Sequence, residues 1–222
     1  MQVTADILLR AYAIGLFPMA ERHDDEELFW VDPQRRGVLP LDGFHLPKRL
    51  YRTIRSGRFE VRCDTAFSTV VRACAEPTPE RPETWINEEI LRLYAEVHEM
   101  GFGHSIECWR EGRLVGGLYG VSLGAVFFGE SMFTRESDAS KVALAHLVAR
   151  LRLGVFAILD TQFLTEHLAQ FGTIEIDREN YRQQLALGIR RQATFVANPP
   201  DERLAAELAL MREESRLRGG QS

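Results

Sequence analysis

Hydrophobic positions recur along this chain with two periods, and most of the periodic stretches end on a residue suited to stopping them. Ala5 to Gly15 reads as a short helix, with Ile7, Leu8 and Tyr12 on one side and Gly15 as its stop. Leu16-Phe-Pro-Met19 leads into an acidic loop at His23 to Glu27, and Phe29-Trp-Val31 and Arg36-Gly-Val-Leu-Pro40 read as short strands. Leu46, Leu50 and Ile54 repeat at helical spacing up to Gly57, with Lys48, Arg49, Arg52 and Arg55 turned elsewhere. Phe59, Val61 and Cys63 alternate as a strand.

From residue 64 the pattern becomes more regular. Asp64 is placed to cap a helix carrying Phe67, Val70, Val71 and Cys74, and a proline-rich loop at Pro77, Pro79 and Pro82 follows. Asn87 opens a helix with Ile90, Leu93, Tyr94 and Val97 inward. His104 to Arg110 alternates as a strand, and the turn Glu111-Gly-Arg113 leads into two glycine-bearing strands. Ser140 to Leu153 predicts a strongly amphipathic helix ended by Gly154, and Val155 to Leu159 an apolar strand buried on both faces. A helix from Thr165 to Phe171, a strand from Thr173 to Ile176 and a helix from Asp177 to about Leu187 complete the pattern. From about Asn198 the chain reads as a polar, weakly helical, peripheral tail. The order implies an α+β fold with a mixed sheet and crossovers. Residues 1–63 are expected to form a small basic N-terminal domain and residues 64–222 the main domain.

The glycines sharpen this picture. Gly116, Gly117, Gly120, Gly124 and Gly129 lie within fourteen residues, the last beside Glu130. Glycine weakens a strand, and marks a bulge or a close approach by a ligand or another backbone. Charge adds a second feature. The chain carries a net −5, yet between Arg35 and Arg62 eight Lys and Arg residues face only Asp42 and Glu60. Such segregation is the footprint of a phosphate backbone or of a solvated face.

Several classes are excluded. No apolar run approaches the roughly 20 residues that span a membrane, and the first residues lack the pattern of a signal peptide. Three cysteines without Cys-x-x-Cys or His spacing argue against zinc and against a disulfide framework, and suit reduced thiols in the cytoplasm. The glycines lack the Gly-Lys-Ser/Thr of a phosphate loop. The histidines read as structural, and no cofactor or metal is expected. Candidate chemistry centres on Asp160-Thr-Gln162, at the carboxyl end of the apolar strand, where open sheets bind ligands. That pair would orient an amine or hydroxyl nucleophile; the alternative is that Asp160 caps the next helix.

Taken together the motifs resemble the leucyl/phenylalanyl-tRNA–protein transferase family. The matching segments are Gly15-Leu-Phe-Pro-Met19, Thr84-Trp-Ile86, His104-Ser-Ile-Glu-Cys-Trp109, Leu114-Val-Gly-Gly-Leu-Tyr-Gly-Val121, Gly129-Glu-Ser-Met-Phe133, Ala139-Ser-Lys141 and Asp160-Thr-Gln162 with His167-Leu168, spread over residues 5–195. The chain departs from the family pattern at Trp30-Val31, where relatives often carry two tryptophans, and at Met19, where some carry an aromatic. The resemblance implies a main domain of acetyltransferase-like (GNAT) fold. It implies transfer of Leu or Phe, and less readily Met, from charged tRNA to the N-terminal Lys or Arg of a protein, marking that protein for degradation. Asp160 and Gln162 would then stand at the reacting amine. Phe127, Gly129, Glu130, Met132, Leu144, Leu147 and Leu159 would receive the transferred side chain, and Met19 and Trp85 the terminal adenosine. The basic helix with Arg49, Arg52 and Arg55 would follow the tRNA backbone.

The chemistry is compatible with so few groups. An aminoacyl ester is already activated, proximity supplies several kcal/mol, and an α-amine with a pKa of about 7.7–8.0 is partly neutral near pH 7. Whether Asp160 and Gln162 act on the amine or hold the tRNA end is open at this point. Two other classes compete. An acyl-CoA-dependent N-acetyltransferase would want a glycine-rich phosphate turn that Glu136 to Ala145 lacks, and a non-enzymatic RNA-binding module would need the basic face alone.

Overall fold

A computed structural model describes residues 3–23, 25, 27–78 and 83–219. Asp24 and Glu26 of the acidic loop, and Pro79 and Pro82 of the proline-rich loop, lie outside the described residues. From the N-terminus, α1 (Ala5–Ala13) leads through β1 (Phe17–Met19) and β2 (Phe29–Val31) to β3 (Arg35–Leu39). Then come α2 (Lys48–Arg55), β4 (Glu60–Cys63), α3 (Phe67–Ala75) and α4 (Glu88–Glu99). A meander of β5 (Gly103–Arg110), β6 (Arg113–Leu123) and β7 (Val126–Thr134) runs into α5 (Ala139–Leu153) and β8 (Ile158–Gln162). The chain continues through α6 (Glu166–Ala169), β9 (Ile174–Asp177), α7 (Arg178–Arg190) and α8 (Asp201–Gly219).

Seven strands form one mixed sheet in the order β4-β5-β6-β7-β8-β3-β9, while β1 and β2 pair as a separate antiparallel ribbon. Every neighbouring pair in the large sheet is antiparallel except β7 and β8. Parallel neighbours need a crossover, and α5 supplies it. Residues 35–63 contribute β3 and β4 to this sheet, so the basic segment 1–63 does not stand apart as one unit. Its clustered charge lies largely at the surface, Arg36 excepted, whereas β3 pairs with β8 and β9 more than a hundred residues away.

Side-chain alternation along the strands builds two cores, one on each face of the sheet. On β7, Phe128 enters a core with Leu8, Tyr12, Val70, Tyr94 and Tyr181. Its neighbour Phe127 enters the other, with Leu50, Leu144, Leu147, Leu159 and Met211.

Local chemistry explains where the elements differ from expectation. Ile7 faces outward at 39% exposure, and Leu9 takes its place in the core. Asp64 adopts φ +56° and accepts from Ser105 N at 2.7 Å, so it does not cap α3. Buried Glu107 instead holds the segment leading into α3, accepting from the backbone N–H of Thr65 at 2.9 Å and of Ala66 at 2.8 Å. Asn87 and Asp177 do cap their helices, accepting from Ile90 N at 2.8 Å and Asn180 N at 2.9 Å.

The apolar run before Asp160 pairs later than its composition suggests. Val155 turns outward at φ +58° and 63% exposure, and β8 begins at Ile158. Nor is α5 amphipathic: it is buried nearly all round, because the sheet covers one side and α2 and α8 the other. The C-terminal segment is not a peripheral tail. As α8 it buries Leu208, Met211 and Ser215, and Arg152 of α5 pairs with Glu207 at 2.6 Å and Glu214 at 2.7 Å. Three buried positions in nineteen residues leave little periodicity to read.

Candidate functional site

The strands β7 and β8 pair only as far as Phe128 and Asp160, and a cleft opens beyond. Each strand there carries one residue more than its other neighbour. The step from Tyr119 to Gly120 on β6 faces Ser131 to Gly129, leaving Glu130 unpaired. The step from Gly37 to Val38 on β3 faces Gln162 to Asp160, leaving Thr161 unpaired. Bulges re-aim side chains, and these two lie on the two sides of the cleft. Glycine is required opposite both. A Cβ on Gly120 would meet the Phe128 carbonyl oxygen at 2.2 Å, and one on Gly37 would meet the Phe163 backbone at 2.6 Å.

The cleft is a cavity of about 970 Å³, at the upper end of the size range for small-molecule sites. Leu118, Met132, Leu144, Leu147, Leu159 and Leu168 make its apolar wall. Glu130, Gln162, Thr161, Glu166 and His167 make a polar one. Burial, then the Lys141 charge, lower the His167 pKa, which keeps that ring neutral at pH 7.

Behind the polar wall Asp160 is fully enclosed and fully used. The Arg36 guanidinium grips it through Nε to Oδ1 at 2.9 Å and a terminal nitrogen to Oδ2 at 2.7 Å. The Tyr181 hydroxyl donates to Oδ2, and the Gln162 backbone N–H to Oδ1 at 2.8 Å. Burial works against the Arg36 charge, but the Asp160 carboxylate holds its pKa above the ordinary value. Arg36 also donates to the Gly15 carbonyl at 3.0 Å and lies over the rings of Phe17 and Tyr181, which ties the N-terminal elements to β8. Gln162 sits at φ +56°, a costly conformation for a side chain of this kind, and the Asp160 bond helps to hold it there.

From that backbone the Gln162 carboxamide donates through Nε2 to Glu130 Oε1 at 3.2 Å. Tyr94 donates to Glu130 Oε2 at 2.7 Å and in turn bonds the Tyr12 hydroxyl. Burial pushes the Glu130 carboxyl up to about 7, against the pull of the Tyr12 and Tyr94 hydroxyls, with the Asp160 charge adding to the rise. The result is a carboxyl group that changes charge near neutrality, beside an amide oxygen left unengaged by that Nε2 bond.

Seven of the residues expected at the site line this cavity: Gly129, Glu130, Met132, Leu144, Leu147, Leu159 and Gln162. Asp160 is behind it and is not the cap of the next helix, which is Thr165. Phe127 is not on the wall. It is fully buried against Phe156 and Phe195, in the core that backs Leu144 and Leu147. Met19 and Trp85 are partly buried and belong to segments joined by Ala20 N to the Trp85 carbonyl at 3.2 Å. Arg49, Arg52 and Arg55 are exposed on α2, with no ion pair among the described residues. Periodicity alone missed Arg36, Tyr12, Tyr94 and Tyr181. Their signal was chemical: a buried tyrosine hydroxyl or guanidinium needs a partner.

Two family models match the chain. The leucyl/phenylalanyl-tRNA protein transferase N-terminal domain covers residues 1–34, and the leucyl/phenylalanyl-tRNA protein transferase model covers residues 38–186. The chain belongs to this transferase family. A leucyl/phenylalanyl-tRNA–protein transferase from Paramagnetospirillum magneticum is 61% identical over 94% of this chain and 99% of its own length. Those from Caulobacter vibrioides and Nitrobacter winogradskyi are 58% and 55% identical, over 86% and 94% of this chain and 88% and 93% of their own. Among solved structures, L-PGS from Bacillus licheniformis aligns over 97% of this chain and 72% of its own, at 11% identity and a TM-score of 0.39, too distant to bear on fold or function. The transferase model spans both walls of the cavity and stops short of α8. Among the described residues no helix is long and apolar enough to cross a membrane. None of their His, Cys, Asp and Glu side chains cluster in threes that could hold a metal ion.

Proposed function

We propose that the cavity is where Leu or Phe passes from the 3′ end of a charged tRNA to the N-terminal Lys or Arg of an acceptor protein, in the cytoplasm, marking that protein for degradation. The carrying observation is the meeting of an apolar wall with the hydrogen-bonded pair Glu130 and Gln162 in one cleft. The donor side chain lies on Leu144, Leu147, Leu159 and Met132, with Phe127 packed behind. The acceptor amine stands at the Gln162 amide oxygen, near Glu130. In its ionised form Glu130 takes a proton from the acceptor ammonium. The freed nitrogen attacks the ester carbonyl, the bond to the ribose oxygen breaks, and that oxygen leaves with the second amine proton. Asp160 positions Gln162 and does not touch substrate. Met19 and Trp85 serve the terminal adenosine. The sheet is read as acetyltransferase-like, a reading supported by its single parallel pair opening at the site.

Donor choice tests this placement. An apolar wall distinguishes side chains by only ~1–3 kcal/mol. Leu147→Ala enlarges it and is expected to shift the Phe-over-Leu preference roughly tenfold toward Phe, measured by competition between Leu-tRNA and Phe-tRNA. An unaltered ratio would take Leu147 off the donor wall.

The unpaired cations of α2 are assigned to the tRNA backbone. Replacing Arg49, Arg52 and Arg55 by Ala should raise KM for charged tRNA and flatten its log–log salt dependence by roughly 2–3, at ~0.7–0.9 for each phosphate no longer neutralised. A slope equal to wild type would return this face to solvent.

A further inference from the structure

Resting on the cavity as the transfer site, a further requirement arises: the acceptor brings a charged side chain as well as an amine. A Lys or Arg cation in a cleft needs an anion. Asp160 has its oxygens occupied by Arg36, Tyr181 and the Gln162 N–H. Glu130 holds Tyr94 and Gln162, and its charge comes and goes near neutrality. Glu166 differs from both. It lies on the rim of the same cavity, exposed, in the first turn of α6, with no ion-pair or hydrogen-bond partner for its side chain among the described residues.

We propose that the Glu166 carboxylate recognises the side-chain cation of the acceptor's first residue. The surrounding wall supports this. Gln162 and His167 line it beside Glu166, so this stretch offers polar residues that the apolar donor does not use. The His167 ring is neutral and places no competing charge next to Glu166. Lys141, whose charge that ring senses, is held against Asp138 at 3.7 Å. The two walls therefore divide the substrates. The leucine side takes the donor, and the side formed by Gln162, Glu166 and His167 takes the acceptor, with the amine at Gln162 and its side chain reaching toward Glu166.

The test uses full-length protein, Leu-tRNA and three peptides identical except for a first residue of Arg, Lys or citrulline, the neutral near-isostere of Arg. Glu166→Gln removes the charge and keeps the shape. It is expected to raise KM for the Arg and Lys peptides roughly tenfold, the equivalent of one charge-assisted hydrogen bond. KM for the citrulline peptide and for Leu-tRNA should stay at the wild-type values, and Glu166→Asp should recover part of the loss. Equal weakening of Arg and citrulline peptides, or no change for either, overturns the assignment. Leu147→Ala run in parallel separates the two levels. If it alters donor choice while Glu166→Gln leaves Arg and Lys binding intact, this proposal alone fails. If neither variant has an effect, the cavity is not the transfer site.

Discussion

Asp160→Asn is expected to unfold the protein more easily and to slow it beyond what the lost stability explains. Arg36 and Asp160 are 1% and 0% exposed, so neutralising the aspartate strands a buried guanidinium. Removing one partner of such a pair costs about 3–5 kcal/mol, and a chain of this length loses about 2–4 °C of melting temperature per kcal/mol. A fall of roughly 10 °C is therefore anticipated in a thermal melt. Turnover measured well below the melting range should also drop, because Arg36, Tyr181 and the Gln162 N–H then compete for the single oxygen of a carboxamide, which weakens the bond that holds the left-handed backbone of Gln162. KM for charged tRNA should change little.

A paired replacement separates the two effects. Arg36→Leu with Asp160→Leu removes both charges, and a buried ion pair exchanged for apolar groups is often neutral for stability. The double variant should melt higher than Asp160→Asn yet remain slow, because leucine offers the Gln162 N–H no acceptor at all. Loss of turnover in Asp160→Asn at an unchanged melting temperature would instead put Asp160 on the reacting amine.

The enclosure of Asp160 shows what was and was not legible in the sequence. Gly129 and Glu130 were readable together, because glycine in a strand signals a bulge and the acidic residue beside it is what this bulge redirects. Asp160 and Gln162 were readable as a pair at a strand end. Their division of labour was not, since it depends on Arg36, whose strand reaches β8 across 124 positions of sequence. Tyr12 and Tyr94 stood out as core positions on two helices, and they are; nothing in a helical period says that their hydroxyls meet and bear on Glu130. The same limit hid α8, whose buried face is too narrow to show among its charges. Local patterns report which side of an element is covered, and distant pairing decides by what.

Glu130→Gln is expected to have the largest effect on rate, a loss of ~10²–10⁴-fold in turnover if the carboxylate takes the amine proton. It should also change the shape of the pH profile. In the wild type the rise belongs to Glu130, which loses its proton near 7 and can then take one from the ammonium; without that base, reaction waits on the α-amine's own ionisation at a pKa of about 7.7–8.0. The residual activity of the variant should rise through the amine step alone. Stability supplies an independent reading. A carboxyl whose pKa is raised from 4.5 to about 7 on folding binds its proton more tightly in the native state. Its contribution is therefore present in full below about 4.5 and is lost as pH climbs toward 7, a slope that Glu130→Gln should lack. Denaturation at several pH values in this window, set beside kcat/KM for an Arg peptide from acid to alkaline pH, checks both parts. If the variant keeps the wild-type rise near neutrality, the group titrating there is not Glu130, and proton removal must be assigned to the amine's own equilibrium with solvent.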